Sequence, residues 1–566
     1  MLAQIFDLTN CFVAKYHQLQ RFITLKLLQT NSHYDIIHRI QRRFIMWAYE
    51  IAQKIIEQRP NEKVYTIATG VSPSGFIHIG NFREVVTPYF VAKALKKLGK
   101  KVRFIFSFDD FDRFRKVPAD IPEEYEKYVG MSYSDMPSPF TKDESYANYF
   151  EKVFQGELEK MGIDIKNEVE FIYQSKEYRR GRYTDKIKLA LEKRKEIFDI
   201  IDSFRTQDAE LGERDKFFPA NIYCSKCKKE AKIISYDDAT GDIVYRCACG
   251  NEEKVNVETC RDIKLQWKVD WPMRWQQENV TFESGGMDHF TKNGSHDVAE
   301  VISRKIFGFE PPVAEPYNFI GIKGGGAKMS SSKGGVLTIT KMLNVYDPHL
   351  LLWFYAKYKP MQNFALAFDN DVIRYYSEFD RWVKMYFDGR IDQGNKEILD
   401  FTGVTEDYLN YPSFSNLATF LPIVNFNRQM LDSLMKKENI DTTSKYYEER
   451  LNKAAYWVEN YGKEYQVNLL EQKNTEFYAT LNNDEKLWIA KTIELISKDY
   501  ATSDELMTEL YAVVKYLNLE PDALKKTQKR YFEILYNLLL GKSQGPKLGI
   551  FLLAVGPEKI KNLLLF

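Results

Sequence analysis

The chain has little of several things. Six cysteines among 566 residues are too few for a disulfide framework. Four of them are bunched, which points to a metal and to a reducing, cytoplasmic setting. No apolar run approaches the length that spans a bilayer. The first residues lack the charged start and small-residue cleavage site of a signal peptide. No internal repeat of fixed period is present, which excludes a repeat array. Net charge is also scarce: 80 Lys and Arg against 79 Asp and Glu leave +1. A nucleic-acid partner would therefore have to meet charge segregated by face, or be held by shape and stacking. The remainder, 44% hydrophobic and 28% charged, is the composition of a soluble globular protein. The length allows three or four domains.

The stretch that organises the chain is Thr69 to Asn81, TGVSPSGFIHIGN. Gly70, Ser72, Pro73, Ser74 and Gly75 let a backbone pass close to a ligand. The β-rich run from Val64 to Thr69 precedes them, and an amphipathic run from Asn81 to Leu98 follows, ended by Gly99. Strand, glycine-bearing loop and helix start form the geometry that receives phosphate in open α/β sheets. His78 sits where the helix begins. Val102 to Phe108 reads as the next buried strand, ending in Asp109, Asp110 and Asp112. Carboxylates there either lie over the ligand crevice or cap the following turn. Far downstream, Lys323 to Gly335 reads KGGGAKMSSSKGG, a loop rich in glycine, cations and hydroxyls.

Cys224, Cys227, Cys247 and Cys249 are spaced CxxC, a longer spacer, then CxC. Two close thiolate pairs fit tetrahedral Zn²⁺, and all four positions are filled, so the site is structural and not catalytic. Between the pairs, Ile233, Ile234, Ile243, Val244 and Tyr245 flank a turn signal at Asp237 to Gly241, a β-hairpin that makes the unit a zinc ribbon. Cys260 and Cys11 fall outside the pattern and read as small hydrophobes. Trp267, Trp271 and Trp275 recur every four residues and stack on one side of a helix, where core packing accounts for at least two of them. Val280 to Glu283 is a short strand followed by GGMDH, and Asp297 to Ile306 a helix. Residues 113 to 205 read as mostly helical, with helices at Tyr146 to Met161 and Asp185 to Ile197. Tyr346 to Tyr358, Asp369 to Asp388 and most of the chain beyond 400 read as helical too.

The pair HIGN and KMSSSKG resembles the two signature motifs of class I aminoacyl-tRNA synthetases, usually HIGH and KMSKS. Asn81 stands in place of the second histidine, and Ser331 in place of the second lysine, with Lys333 two positions later. The strings SPSGFIHIGNFREV, DDFDRFRKVP, LQWKVDWPMRW and GGMDH resemble the class I, archaeal-type lysyl-tRNA synthetases, from about Met46 to the end. The resemblance implies an α/β protein: a Rossmann-type parallel-sheet catalytic domain with a zinc-ribbon-bearing insertion, then an all-α C-terminal domain. Its expected parts are an N-terminal extension at 1–45, a catalytic domain at 46–345, an insertion at about 113–262 carrying the ribbon at 220–255, a stem-contact segment at 346–400 and a helical anticodon-binding domain at 401–566.

It also implies ATP with Mg²⁺, lysine and tRNA(Lys) as ligands; a monomer is expected. Amino-acid activation needs no general base, because the attacking carboxylate is ionised at pH 7, so donors and cations are expected and not a triad. His78, Asn81, Lys328 and Lys333 are the expected catalytic groups. Pro73, Gly75, His78, Gly80, Gly286, Asp288, Ser330, Ser332 and Lys333 are expected at ATP. Gly70, Ser72, Glu84, Trp267, His289 and Tyr317 are expected at the amino acid. Rival readings are a glutamate, glutamine or cysteine enzyme of the same class, a zinc-ribbon RNA-binding protein without activity, and a non-tRNA nucleotidyltransferase.

Overall fold

The computed structural model describes residues 46–207, 209–324, 337–462, 469–500 and 502–566. The extension at 1–45 and the loop residues Lys328, Ser330, Ser331, Ser332 and Lys333 lie outside the described residues. A helix, α1 (Trp47–Gln58), leads in and buries Trp47, Ala48, Ile51, Ala52 and Ile55 along one stripe. It feeds β1 (Tyr65–Val71), after which α2 (Arg83–Lys97) and β2 (Val102–Phe108) complete a crossover. The chain then runs through α3 (Tyr146–Lys160) to β3 (Glu170–Tyr173). Five antiparallel strands follow: β4 (Ala220–Tyr223), β5 (Glu230–Tyr236), β6 (Asp242–Arg246), β7 (Glu252–Asn256) and β8 (Ile263–Leu265). Then α4 (Trp267–Glu278), β9 (Val280–Gly286), α5 (Ser295–Lys305) and β10 (Val313–Tyr317) return the chain to the first layer.

The main sheet has the order β10-β9-β1-β2-β3, and every pairing in it is parallel. A parallel sheet is covered on both faces, and β1 accordingly buries Tyr65, Thr66, Ile67, Ala68 and Thr69 in succession. The strand order reverses between β1 and β9, since β2 and β3 are added on one side and β9 and β10 on the other. That reversal is the topological switch point at which open α/β sheets bind ligands.

The stretch expected as one insertion, 113–262, contains β3, a strand of the parallel sheet, so the chain makes two excursions. A four-residue edge strand carries too little periodicity to announce itself. The first excursion is less helical than its charge pattern suggests. Pro118, Pro122, Pro137 and Pro139 interrupt it, and it folds as short turns around Phe114, Tyr125, Tyr133, Tyr146 and Phe150. The helix expected at 185–197 is two, Thr184–Glu192 and Arg194–Asp202. The ribbon reaches past 255, because β8 pairs with β4.

Beyond the main sheet lie α6 (Pro348–Lys357), α7 (Asp371–Phe387) and α8 (Lys445–Asn460) among other helices. The expected helical domain at 401–566 is divided between two cores. Leu399 to Val458 shares the core of the parallel sheet, whereas Leu481 to Leu564 packs around Leu506, Leu535 and Leu539, with Ile550 and Ala554 reaching back into the first core. Among the described residues no helix is long and apolar enough to cross a membrane.

Arg450 on α8 ties that helix to the start of α6 and to α7. It is fully buried, 2.9 Å from Asp347 and 3.2 Å from Asp380. Its guanidinium also lies over Tyr376 and Tyr411 at 4.6 and 4.8 Å. Removing one member of a buried pair strands its partners without compensation. Arg450→Ala is therefore expected to lower unfolding stability by about 3–5 kcal/mol, read from the shift of the denaturant midpoint.

Candidate active site

Several side chains converge on a cleft of about 420 Å³ at the carboxyl ends of β1 and β9. Its lining includes Gly70, Ser72, Ser74, Glu84, Ser107, Asp109, Trp267, Arg274, Glu283, Gly285 and His289. Gly70 has a packing reason: a Cβ there would lie 2.6 Å from the Ser107 carbonyl oxygen on β2. Pro73 and Gly75 are buried between and beside the lining residues Ser72 and Ser74. The Ser74 carbonyl accepts a 2.8 Å hydrogen bond from Tyr146 Oη, so α3 pins the loop from outside.

Glu84 is placed by a proline. Pro88 lies inside α2 and has no N–H to offer the carbonyl four residues back. That carbonyl, of Glu84, accepts instead from Thr69 Oγ1 at 2.5 Å, which ties the end of β1 to the first turn of α2. The Glu84 carboxyl then faces Tyr317, whose hydroxyl donates to it. Burial pushes the Glu84 carboxyl up to about 8, and the bonds from Tyr317 and Thr69 oppose that rise. Tyr317 thus lies outside the cleft lining and touches the Glu84 carboxyl that lines it.

The opposite wall is α4. Trp267 and Trp271 stack with ring centres 5.0 Å apart and planes 17° from parallel, and Trp275 follows at 5.1 Å. Trp275 is a core residue, Trp271 is buried yet reaches the cleft, and Trp267 lines the cleft beside it. His289 closes this wall, 6.2 Å from Trp267 and 5.7 Å from Trp271, with Nδ1 2.8 Å from Ser295 Oγ. Gly286 ends β9 and Asp288 follows it, its side chain folding back until a Cβ on Gly286 would be 2.7 Å from its Oδ1.

Beneath the tryptophans lies an ion network. Arg274 Nη1 is 2.6 Å from Asp109 Oδ1 and 3.1 Å from Ser107 Oγ. Arg274 Nε is 3.3 Å from Asp270, which Lys264 also reaches at 3.0 Å while holding Asp112 at 3.2 Å. Burial raises Asp109 above its ordinary range against the pull of Arg274. Arg274 and Glu283 were not among the residues expected from sequence. The only local signal was the Asp270–Arg274 spacing of a helical ion pair.

His78 is buried at the entrance of a short turn, Ile79–Phe82, and α2 begins only at Arg83. Asn81 lies in that turn, its amide bonded to the His78 carbonyl at 2.9 Å. The His78 ring rests on Gly80, where a Cβ would be 2.8 Å from Nδ1, and among the described residues Nδ1 has no hydrogen-bond partner. Burial lowers the His78 pKa, which favours the neutral ring. His78, Gly80, Asn81, Gly286 and Asp288 lie outside the cleft lining.

The residues just beyond the second signature run pair with this turn. Ile79 N donates to Leu337 O at 2.8 Å, and His78 bridges to Thr338, just beyond the KMSSSKG run. On the near side, Gly321–Ile322 pairs with Ala365–Leu366, and Lys323 binds Asp369 and Asp371 at 2.8 and 2.5 Å. Ile320 O lies 3.4 Å from where a Cβ on Gly80 would be.

A family model described as tRNA synthetases class I (K) matches residues 45–403. The chain belongs to the class I lysyl-type tRNA synthetases. Among curated relatives, the lysine–tRNA ligase of Pyrococcus horikoshii is 34% identical over 525 residues, covering 90% of this chain and 97% of the relative. That of Borreliella burgdorferi is 34% identical over 530 residues, covering 91% and 98%. Among solved structures, a glutamate–tRNA ligase from Elizabethkingia meningosepticum aligns over 89% of this chain and 98% of its own at 14% identity, with a TM-score of 0.43.

Family membership covers the ribbon as well. Its four cysteines offer sulfurs within 4.8 Å of one another, with Cys224 3.8 Å from Cys249 and Cys227 3.4 Å from Cys247. Each pair sits in a tight turn. Cys224 N donates to Lys229 O and Lys228 N to Cys224 O, while Cys247 N donates to Asn251 O and Gly250 N to Cys247 O. Lys228 and Gly250 adopt the positive φ values, 62° and 86°, that such turns require. Four thiols gathered without a disulfide suit a metal ion. The purified protein is expected to carry one metal ion per chain, and Cys247→Ser to lose it together with the protease resistance of residues 220–265. Elemental analysis and limited proteolysis check both.

Proposed function

We propose that the chain is an ATP-dependent lysine–tRNA ligase acting in the cytoplasm. It joins lysine to ATP as lysyl-adenylate with release of pyrophosphate, then transfers lysine to the terminal adenosine of tRNA(Lys). The observation that carries this reading is the pairing, across one cleft of a lysyl-type family member, of the buried Glu84–Tyr317 carboxyl with the Trp267 wall. A lysine side chain needs a carboxylate for its ammonium and an aromatic face for its stem and cation. Gly70, Ser72, Glu84, Trp267, His289 and Tyr317 are assigned to the amino acid on that ground. A glutamate substrate would need cations where the cleft offers Glu84 and Glu283.

In the first step the lysine carboxylate oxygen forms a bond to the α-phosphorus, the bond to the bridging oxygen breaks, and pyrophosphate leaves. No proton moves, so the protein contributes alignment and charge stabilisation. Pro73, Gly75 and Gly80 shape the backbone at the phosphates, with Gly286 and Asp288 at the nucleoside. His78 and Asn81 donate hydrogen bonds to phosphate, and Lys328, Ser330, Ser332 and Lys333 supply donors and charge from the second signature. Mg²⁺ accompanies ATP and neutralises its phosphates. In the second step the 2′-hydroxyl of the terminal adenosine attacks the adenylate carbonyl and AMP leaves. The segment 346–400 is assigned to the tRNA stem and 401–566 to the anticodon arm. Zn²⁺ is the proposed ribbon metal: thiolates about 2.3 Å from the ion are spaced about 3.8 Å apart, close to the 3.4 and 3.8 Å found here.

ATP–pyrophosphate exchange with each of the twenty amino acids, with and without total tRNA, tests the reading. Exchange with lysine alone is expected; exchange with another amino acid alone would refute the substrate assignment. The pH dependence is a second check. Burial holds the Glu84 carboxyl up to about 8, so in the empty cleft it keeps its proton at neutral pH. An ammonium pairs with the carboxylate, so binding lysine releases that proton. Apparent affinity for lysine is expected to rise between about pH 6 and 8 and level off above, by up to about tenfold per unit. Glu84→Gln should weaken binding and flatten the profile, measured by calorimetry.

A further inference from the structure

Three arginines line the cleft, and two of them are already committed. Arg274 is held by Asp109 and Asp270, and Arg113 donates to Glu230. The third, Arg115, is exposed and lines the same cleft as Ser72 and Ser74. Among the described residues it has no ion pair and no hydrogen bond. An arginine on a loose surface loop would carry little information. Arg115 is not on one.

The residue before it is fastened on both sides. Phe114 N donates to Met131 O at 2.7 Å, and Phe114 O accepts from Gly130 N at 2.9 Å. Two rungs further back, Tyr133 N donates to Asp112 O at 3.0 Å and Ser134 N to Asp110 O at 2.9 Å. The Phe114 ring is buried, 6.0 Å from Tyr133 and 5.6 Å from Tyr146. Tyr146 is the side chain whose hydroxyl pins Ser74 O. A single aromatic cluster therefore fixes both the Ser72–Gly75 loop and the backbone that presents Arg115. On the far side, Pro118 closes over Gly75, at 3.8 Å from where its Cβ would be.

The charge of the cleft gives this cation a task. Glu84, Asp109, Asp112 and Glu283 line it, and the cations Arg274 and Lys264 are absorbed by Asp109, Asp112 and Asp270. The paired cations have little charge left to set against a polyphosphate, and Glu84 adds a negative charge once lysine has displaced its proton, so a cation at the phosphate end has a task. We infer that Arg115 binds a phosphate group of a substrate at the Ser72–Ser74 edge of the cleft. An arginine can bind phosphate through two parallel N–H bonds, and its charge never titrates. The inference rests on the ligase reading. The phosphate belongs to the triphosphate of ATP or to the backbone at the 3′ end of tRNA; the cleft that Arg115 shares with the glycine-bearing loop favours ATP.

The test uses the full-length protein as wild type, Arg115→Gln and Arg115→Lys, with thermal unfolding and metal content expected to be unchanged because the side chain is exposed. ATP is titrated in pyrophosphate exchange at saturating lysine and tRNA, and tRNA is titrated in aminoacylation at saturating ATP. Arg115→Gln is expected to raise KM for ATP by about tenfold or more, with Arg115→Lys intermediate and KM for tRNA within about twofold of wild type. A rise in KM for tRNA alone would keep the phosphate role and assign it to the RNA. Values for Arg115→Gln within about twofold throughout would overturn the inference. So would an equal fall in kcat for both variants with both KM values unmoved. Wild-type protein that shows no lysine-dependent exchange would sink the ligase reading itself, before any variant is compared.

Discussion

The site hangs from the carboxyl ends of two neighbouring parallel strands, β1 and β9, whose crossovers leave in opposite directions. A parallel sheet buries both faces, so its interior has no room for a ligand, and the gap at the strand reversal is where one fits. Everything else is a means of filling that gap from the correct side. β1 delivers Gly70 and the loop to Ser74, α2 delivers Glu84, and β9 delivers Glu283 and Gly285. The antiparallel excursion returns through β8 so that α4 can drop its tryptophans against the same opening.

Within that frame, backbone chemistry and ligand chemistry are coupled at one point. Pro88 leaves a carbonyl of α2 without its helical donor, and Thr69 supplies a hydroxyl. An unsatisfied buried carbonyl is costly, so the bond holds the end of β1 and the start of α2 at a fixed separation. Glu84 is carried into the cleft by that bond and is oriented by Tyr317 from β10. Two successive elements and a strand far along the chain thus define the position of one carboxyl group.

Much of this was legible in the chain, and the remainder was hidden for physical reasons. The glycine-bearing loop, the cysteine pairs and the tryptophan stripe are local patterns, and local patterns survive in a one-dimensional string. The resemblance named Tyr317, but its bond to Glu84 joins residues far apart in sequence, and no periodicity encodes it. Arg274 looked like an ordinary helical arginine because its partner Asp109 lies on another element. The edge strand β3 is too short to show its alternation, and the prolines of 118–139 turn an apparently helical run into an aromatic cluster. The division of the C-terminal helices between two cores was equally invisible. Each helix is amphipathic, and the pattern gives the face to be buried but not the partner that buries it.

The aromatic cluster around Tyr146 shows why an irregular excursion is worth keeping. A loop rich in small residues does not hold its own shape. Here the loop is braced by a hydroxyl on α3, and that hydroxyl is fixed by rings at 114, 133 and 150. The same rings carry the backbone that ends in Arg115. A bracing core and a charged rim built from one excursion move together or not at all, so a substrate that engages the rim meets a loop already in position. The alternative, a rim cation on an independent loop, would have to be ordered at the moment of binding, at a cost in conformational entropy that this packing has already met during folding.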